Sequence, residues 1–507
     1  MRKLRYIAAI VGVLTAILAV PSFGQAVLET VPYTGVGDKA TCLADSNAVK
    51  IDQGQPLDGD PVWPVDCINC VSHALQVTDV SVVGEVGQPP AKPEWSLRHA
   101  LTQIGGSRGA GTALGDFLGT MIVEQVINGF TVAPRPDIEK VLLKPWWEAV
   151  GAADFAALVR ILDGKDAAAD DAWSKAPFKL VSIGYRPDLV RPDFEAKRIG
   201  AGGEGRLIFQ ATTGTKFEAM LIIFEYTLPA RNAPELVGWT KQYDDLRKLP
   251  FGAAYNDALV KITRQFTDRN PKYAVPNNVT LGQLRTNELL VLGNFDWELR
   301  EFRISHNGKL EPAAVQMNPD LSFNTDAKAT LLAYLASPDF DGTFPNTTIP
   351  WSFEDRPFLA GSSITPVSFV NDTDTWLTGE AGLDPAVRER FASTTCNGCH
   401  GDDAPREVAF PGKKPVLNPG GIFQTGFTHV DARGKSFGRP NDTILSDFMC
   451  QSDLVARVAA FQLFRDQPAA IENLLFGTGP REAFPSAQSA ENAAAVAAVA
   501  RNLARVH

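Results

Sequence analysis

The feature that most constrains this chain is a pentapeptide at residues 396–400, in which Cys396 and Cys399 stand three residues apart and His400 follows directly. Two cysteines at this spacing on a helix end form thioether bonds to the two vinyl groups of one porphyrin, and the adjoining histidine reaches the iron from one face. We therefore expect one covalently attached haem c with His400 as its proximal ligand. A disulfide between Cys396 and Cys399 is the alternative interpretation.

The amino terminus predicts export from the cytoplasm. Arg2, Lys3 and Arg5 precede an apolar run at 6–20, and small residues follow up to Ala26, a pattern typical of a secretory signal peptide. A retained membrane anchor is the alternative, although the run is short for a span of about 20 residues. We expect a mature protein with no membrane span, located in the periplasm or secreted.

The charge balance bears on partners. The formal net charge is −10, and removal of the leader makes the chain more acidic because the leader contains basic residues and no acidic ones. An acidic surface repels a phosphate backbone, so nucleic acid is not an expected partner. Such a surface steers a basic redox partner protein, which we expect, although a merely solvated exterior is the simpler explanation of the charge.

The remaining cysteines are Cys42, Cys67, Cys70 and Cys450. In an oxidising compartment they predict up to two disulfides, with pairings that sequence does not separate. The spacing of Cys67 and Cys70, with Cys42 and His73, also suits a structural zinc site. A second haem is not expected there, because His73 does not directly follow Cys70.

Length and patterning predict several domains, since 507 residues exceed one ordinary core. We expect an α+β fold with a mixed, mainly antiparallel sheet region and flanking helices, followed by a mostly helical, cytochrome c-like C-terminal domain. The expected divisions are a signal peptide at 1–26, a region of loops, strands and helices at 27–135, a central α+β domain at 136–340, a connector at 341–383 and a haem domain at 384–507.

Individual elements follow from side-chain periodicity. Runs of β-branched and aromatic residues predict strands at 77–83, 179–183, 206–210, 219–226, 289–292 and 297–304. Helical spacing predicts two helices between 95 and 129, broken at a glycine cluster, and further helices at 254–266, 454–464, 469–475 and 489–506. Asp384 as N-cap and Pro385 as first helical residue predict the helix that leads into the pentapeptide.

Two downstream residues are candidates for the sixth ligand of the haem iron. His429 would give a low-potential bis-histidine iron, whereas thioether ligation by Met449 would raise the potential. An open or distant sixth position is the third alternative. Packing in the core also explains Met449 without any role at the iron.

Several short sequence segments, besides the pentapeptide itself, resemble those of a known family. They lie at 390–400, 427–430 and 445–448 near the carboxyl terminus and at 203–206, 284–288 and 297–302 in the middle of the chain. Over most of the mature chain they resemble the large secreted single-haem c-type cytochromes (cytochrome c domain-containing proteins) of gliding and other Gram-negative bacteria. The haem motif is the specific part of this resemblance, which implies a haem-binding C-terminal module and no particular substrate.

The same resemblance bears on the sixth ligand. In that family the position of His429 is usually histidine and the position of Met449 is usually aliphatic, which favours His429. The departure at Met449 and Cys450 implies an extra disulfide or an altered ligation.

Two sequence motifs of known enzymes are matched, but the secondary structure predicted around each of them is wrong for that motif. The glycines at 200–205 match a dinucleotide-binding pattern, but the residues that follow predict a strand where that motif opens a helix. The match to a nucleophile elbow at 105–109 follows a predicted helix and not a strand, so a turn between helices is expected.

Charged residues of the central region allow two interpretations. They form ion pairs across adjacent strands, worth little each if exposed, or they line a polar substrate pocket. Structural pairing is the simpler interpretation. The pocket would consist of Arg206, Glu225, Arg285, Glu288, Arg300 and Glu301.

The function that the sequence favours is electron transfer by one covalent haem. The first alternative is a haem-dependent oxidoreductase whose central domain binds the substrate. The second is a surface binding module in which the haem is structural. Whether the protein is an enzyme is left open, as are its substrate, its potential and its oligomeric state.

Overall fold

The computed structural model describes residues 70–471, with gaps at 86, 194–195, 197, 271, 273–274, 289–295, 341–348, 367–375, 378–379, 401–429, 433–443, 446–448, 450–452, 467 and 469–470. These residues form an α+β fold with a large antiparallel sheet, as the sequence predicts. The predicted signal peptide, His429, Cys42, Cys67, Cys450 and the helices expected at 469–475 and 489–506 lie wholly or largely outside the described residues.

The helices of the described residues are mostly short. They are α1 Val80–Val83, α2 Leu97–Gly105, α3 Ala110–Met121, α4 Pro136–Ile138, α5 Lys144–Ala149, α6 Phe155–Leu162, α7 Ala167–Ser174, α8 Ala233–Leu246, α9 Ala253–Thr267, α10 Lys328–Ala336, α11 Pro385–Thr394, α12 Cys396–His400 and α13 Leu454–Asp466. Single π-helical turns lie at Val71–Leu75 and Glu139–Leu143, and 3₁₀ turns lie at Pro93–Trp95, Gly106–Arg108, Pro276–Asn278 and Leu321–Asn324.

The strands include three long central ones. They are β1 Gln76–Val77, β2 Gln125–Ile127, β3 Phe130–Val132, β4 Phe178–Asp193, β5 Arg198–Thr213, β6 Lys216–Thr227, β7 Leu281–Glu288, β8 Asp296–Leu299, β9 Glu301–Ile304, β10 Leu310–Ala313, β11 Ser352–Phe353, β12 Arg356–Pro357, β13 Ser363–Pro366, β14 Val430–Asp431 and β15 Ile444–Leu445.

Within the described residues, nine strands form the main sheet in the order β1, β4, β5, β6, β7, β8, β13, and β9 pairs with both β7 and β10. All of these pairings are antiparallel. Three two-stranded sheets accompany it, formed by β2 with β3, β11 with β12 and β14 with β15. The apolar run at 219–224 of β6 is buried at nearly every position, so this central strand is covered on both faces.

One face of the sheet packs on helices. Phe302 meets Phe117 of α3 with ring centroids 4.8 Å apart, and Tyr226 meets Phe266 of α9 at 5.6 Å. Gly205 lies beneath the Phe266 ring, where an added Cβ would approach ring carbons to 2.5 Å. The residue therefore has to be glycine for this helix to reach the sheet.

The carboxyl-terminal segments pack against the same sheet. The backbone N–H of Ala432 donates to the side-chain oxygen Oε1 of Gln210 at 2.7 Å, and α13 lies beside β4. Val430 and Met449 are buried in one core cluster with residues of the sheet and of α13. Burial of this apolar surface, worth about 25 cal/mol per Å², stabilises the docking.

Two predicted strands differ in the structure. Of the strand predicted at 77–83, only Val77 lies in a strand, β1, and Val80–Val83 form a helical turn. The Asp79 carboxylate accepts from the N–H of Ser81, and this N-cap outweighs the β-propensity of the valines. The strand predicted at 297–304 is divided at Arg300 into β8 and β9.

Other predicted elements are confirmed. The strands at 179–183, 206–210 and 219–226 lie within β4, β5 and β6, and the helix at 254–266 lies within α9. The turn expected at 105–109 lies between α2 and α3, whereas the glycines at 200–205 lie within β5 and not in the hairpin or connecting loop expected for them. The strand expected at 289–292 lies outside the described residues.

No helix among the described residues is long and apolar enough to cross a membrane.

Candidate functional site

The pentapeptide forms a helical turn of its own. Asp384 caps α11 by accepting from the N–H of Ala386 at 2.9 Å, as predicted, and α11 ends at Thr394. Thr395 is extended and separates α11 from α12. Its hydroxyl donates to Ala392 O at 2.9 Å and accepts from the N–H of Gly398 at 3.1 Å, so one side chain closes the first helix and opens the second.

Gly398 packs against the end of α11 with no room for a side chain. A Cβ added there would lie 2.3 Å from Ala392 O and 2.6 Å from Thr395 Oγ1. These distances are far below van der Waals contact, and the first neighbour is backbone that does not move easily. The second spacer residue of the motif therefore has to be glycine in this fold.

Asn397, the first spacer residue, is fully buried and held by hydrogen bonds. Its N–H donates to Asn318 Oδ1 at 3.1 Å, and its carbonyl oxygen accepts from Thr365 Oγ1 at 2.8 Å. The indole N–H of Trp376 donates to Asn397 Oδ1 at 3.1 Å and to Thr395 Oγ1 at 2.9 Å. The spacer side of the turn is thus fixed to the protein interior at several points.

The motif positions 396, 399 and 400 have the i, i+3, i+4 spacing that places residues on one face of a helix. Cys396 is 8% exposed and His400 is 6% exposed. The Cys396 thiol donates to Gln316 O at 3.6 Å. By this backbone spacing, residues 396, 399 and 400 share one side of the turn, and the spacer residues 397 and 398 lie on the other.

The His400 imidazole stacks on the indole of Trp297, with ring centroids 4.1 Å apart and planes inclined by 12°. Trp297 lies on β8, is fully buried, and donates its indole N–H to Asn287 Oδ1 at 2.9 Å. The central sheet thereby contacts the motif directly through an aromatic side chain.

The donor set of this turn fits a covalent haem. Two thiols and one imidazole at this spacing are the groups that tether a porphyrin and ligate its iron. The close approach at Gly398 and the fixed backbone of Asn397 hold the turn in the helical form that the spacing requires. Cys396, Cys399 and His400 are the residues that would hold the group.

A line of buried charges crosses the sheet toward the motif. Arg206 lies opposite Glu225 in the register, and Arg285 lies opposite Glu301, so these side chains share a face. The nitrogen-to-oxygen distances are 2.9 Å for Arg206 and Glu225, 3.8 Å for Arg285 and Glu225, and 3.2 Å for Arg285 and Glu301. Glu301 Oε2 accepts from the N–H of Gln316 at 3.3 Å, and the Gln316 carbonyl faces Cys396.

The line continues to the other edge of the sheet. Arg186 of β4 pairs with Asp188 at 2.6 Å and with Asp453 at 2.8 Å, and Asp453 pairs with Arg457 of α13 at 2.6 Å. Arg457 also donates to Gln76 Oε1 at 2.7 Å. These buried pairs join the carboxyl-terminal helix to the sheet, and removal of either partner would leave a buried charge uncompensated.

The protonation of these groups follows from burial and pairing. Burial raises the pKa of Glu204, and Arg206 opposes only part of that effect. Burial acts on Glu225 in the same direction, but Arg206 and Arg285 outweigh it and lower its pKa. Burial alone would lower the pKa of Arg285, yet Glu225 and Glu301 raise it. Arg285 therefore carries a permanent positive charge near the motif.

A second cluster of charged side chains lies on the face of the sheet opposite to Arg285. Glu288 is three residues from Arg285 on the same strand, and Glu298 is its cross-strand partner. Arg135 Nε lies 2.8 Å from Glu288 Oε1 and 3.1 Å from Glu298 Oε2, and Arg300 pairs with Glu298 at 2.9 Å. Glu288 Oε2 is buried without a hydrogen-bond partner.

The substrate pocket considered for these residues is not formed by them. Arg285 and Glu288 point to opposite faces of one strand, and the six side chains are paired with one another or with neighbouring charges. Cross-strand ion pairs are present, as expected, and their side chains are at most 12% exposed.

The structure does not bring all predicted site residues together. Cys396 and His400 lie beside Trp297, whereas Met449 is buried with Val430 in the main core and outside the small cluster that contains Cys396. His429 lies outside the described residues. Val430, which follows it, is buried in the main core cluster together with residues of the sheet. The choice of sixth ligand stays a prediction.

The amino-terminal cysteines are described only at Cys70, which is fully buried. His73 is buried and stacks on Phe251 at 4.0 Å, and its burial lowers its pKa. Among the described residues, no three His, Cys, Asp or Glu side chains are grouped as a metal site requires. The expected disulfides and the zinc alternative stay predictions.

Sequence reasoning missed the residues that hold the motif, which are Trp297, Asn287, Asn318, Thr365 and Trp376. Asn318 is 79 residues from Asn397 and Thr365 is 32 residues from it. Trp297 belonged to a predicted strand, but no local pattern indicates that its ring meets His400. No protein-family model, curated protein or solved structure shows a significant match to this chain.

Proposed function

We propose that this protein is an exported c-type cytochrome that transfers single electrons through one haem c. Cys396 and Cys399 tether the haem, and His400 is the proximal ligand of its iron. Residues 384–507 form the mostly helical, cytochrome c-like domain of the proposal, and a redox protein in the periplasm or outside the cell is its partner.

The observation that carries this proposal is the construction of the 396–400 turn. Its spacer residues are fixed by Thr395, Trp376, Asn318 and Thr365, while the helical spacing puts residues 396, 399 and 400 on the other side of the turn. A haem bound there supplies reversible one-electron chemistry. The chain itself holds the tether rigid, so the ligating imidazole loses little freedom when the iron is bound.

The buried ion pairs favour electron transfer over substrate oxidation. The charged side chains best suited to a polar substrate, Arg206, Glu225, Arg285 and Glu301, neutralise one another inside the sheet. Binding a substrate with them would require breaking buried pairs, which costs several kcal/mol for each pair. Within the described residues, these groups therefore act as structure.

The decisive experiment is a reduced absorption spectrum of the purified mature protein, recorded with and without carbon monoxide. Electron transfer predicts a six-coordinate low-spin iron and a spectrum that carbon monoxide leaves unchanged. Extraction with acidified acetone should leave the pigment on the protein, because thioether bonds are covalent. A colourless protein or an extractable pigment would refute the proposal, and carbon monoxide binding would favour the oxidoreductase alternative.

The sixth ligand is assigned by His429→Ala and Met449→Ala, each measured in the holoprotein. Loss of imidazole ligation in His429→Ala should leave a high-spin or carbon monoxide-binding iron, whereas Met449→Ala should keep the wild-type spectrum. The reverse result would assign Met449, and unchanged spectra in both variants would exclude both residues.

A further inference from the structure

The ring of His400 is bounded by one side chain from the central sheet. The Trp297 indole covers a face of the imidazole at 4.1 Å, nearly parallel to it. Imidazole bonds a metal through a nitrogen in the plane of its ring, so a stack on the face leaves that nitrogen available. The contact therefore restricts rotation of the ring without competing for ligation.

Trp297 is itself held from two sides. It is fully buried, and its indole N–H donates to Asn287 Oδ1 at 2.9 Å on β7, the neighbouring strand. Its backbone lies on β8, in register with Thr365 of β13. Packing and one hydrogen bond thus fix the indole plane, and the indole plane fixes the plane of the imidazole stacked on it.

Trp297 and Thr365 form a cross-strand pair that contacts the motif at two points. Thr365 is the register partner of Trp297, so both side chains point to the same face of the sheet. The Thr365 hydroxyl donates to Asn397 O at 2.8 Å, while Trp297 stacks on His400. One pair of sheet residues therefore sets both the backbone of the turn and the orientation of its imidazole.

We propose that Trp297 is a positioning residue for His400, and that through the Trp297–Asn287 contact the central sheet sets the plane of the proximal imidazole and tunes the reduction potential of the haem. This inference rests on the proposed function. An indole face stabilises positive charge beside it. Oxidation of the haem iron places more positive charge on the ligating imidazole, so the indole stabilises the oxidised haem. Loss of the indole should therefore raise the reduction potential.

The test uses full-length holoprotein and three substitutions. Trp297→Leu removes the stack, Trp297→Phe keeps an aromatic face but loses the indole N–H, and Asn287→Leu removes the acceptor at similar volume. Trp95→Phe is the matched control, because Trp95 is equally buried and donates its indole N–H to Thr263 Oγ1 at 2.9 Å, in the main core and outside the cluster that contains Cys396. Covalent haem content is measured in each variant by the pyridine haemochrome spectrum.

The readouts are the electron paramagnetic resonance g-values of the oxidised protein, which respond to the orientation of the axial ligand planes, and the potential from a redox titration. Trp297→Leu should change the g-values and raise the potential with covalent haem retained. Trp297→Phe and Asn287→Leu should give smaller changes in the same direction, and Trp95→Phe should keep the wild-type g-values.

Wild-type g-values and potential in Trp297→Leu would overturn the inference while leaving the proposed function intact. Where Trp297→Leu does not fold, unchanged values in both Trp297→Phe and Asn287→Leu overturn it instead. A wild-type protein that carries no covalent haem would overturn the proposed function and this inference together.

Discussion

Replacing Glu288 by glutamine should reduce the loss of folding stability that this carboxyl group causes as pH rises. Glu288 is 0% exposed, and its Oε2 has no hydrogen-bond partner. Burial raises its pKa from 4.5 to about 8, Arg135 opposes that shift, and Glu298 adds to it. The group therefore holds its proton in the folded protein across neutral pH.

The sign follows from proton linkage. The pKa in the folded state lies above the unfolded value, so the folded state binds the proton more tightly. The stability contributed by this proton is complete below the unfolded pKa and is lost as pH rises through the folded pKa. One pKa unit corresponds to about 1.4 kcal/mol, so the loss between about pH 5 and about pH 8 amounts to roughly 4 kcal/mol.

Glutamine has the same shape and does not titrate, so Glu288→Gln should become more stable relative to the wild type as pH rises. The measurement is urea unfolding followed by tryptophan fluorescence at several pH values in that window. Glu311→Gln, which changes an exposed glutamate on β10 of the same sheet, is the control. A constant free-energy difference between Glu288→Gln and the wild type across the window would refute the reasoning.

Two further predictions concern the motif and the helix before it. Gly398→Ala should lower the free energy of unfolding by about 1–3 kcal/mol and reduce covalent haem content, because its Cβ would lie 2.3 Å from Ala392 O. Gly238→Ala on α8, where an added Cβ has no neighbour within 4 Å, should instead stabilise by about 0.5–1 kcal/mol, and thermal unfolding of both variants checks the contrast. Asp384→Ala should cost about 1 kcal/mol through loss of the cap on α11, and a melting temperature equal to that of the wild type would contradict it.

Local patterns succeeded where one segment determines its own conformation. The cap at Asp384 and the start of α11 were predictable because the carboxylate and the N–H that it accepts from are two residues apart. The strands at 206–210 and 219–226 were predictable because β-branched and aromatic side chains suit a buried sheet. The strand expected at 77–83 was wrong beyond Val77, since a single cap at Asp79 outweighed the propensity of the valines.

Burial of charge could not be read from the sequence. The charged residues of β5, β6, β7 and β9 alternate as they would on a solvent-facing strand, and this pattern usually predicts exposure. In the structure the register places Arg206 opposite Glu225 and Arg285 opposite Glu301, so each charge has a partner and the face becomes buried. Register is a property of paired strands, and neither strand contains it alone.

The sequence by itself determined the thiols and imidazole of the 396–400 turn, because their spacing is a property of five consecutive residues. Only the tertiary structure decided what surrounds them. Trp297, Thr365, Asn318 and Trp376 come from separate segments, and they meet the motif because the strand order and register bring those segments to one place. The reactive groups are encoded locally, whereas the orientation of the imidazole depends on contacts between residues far apart in the chain.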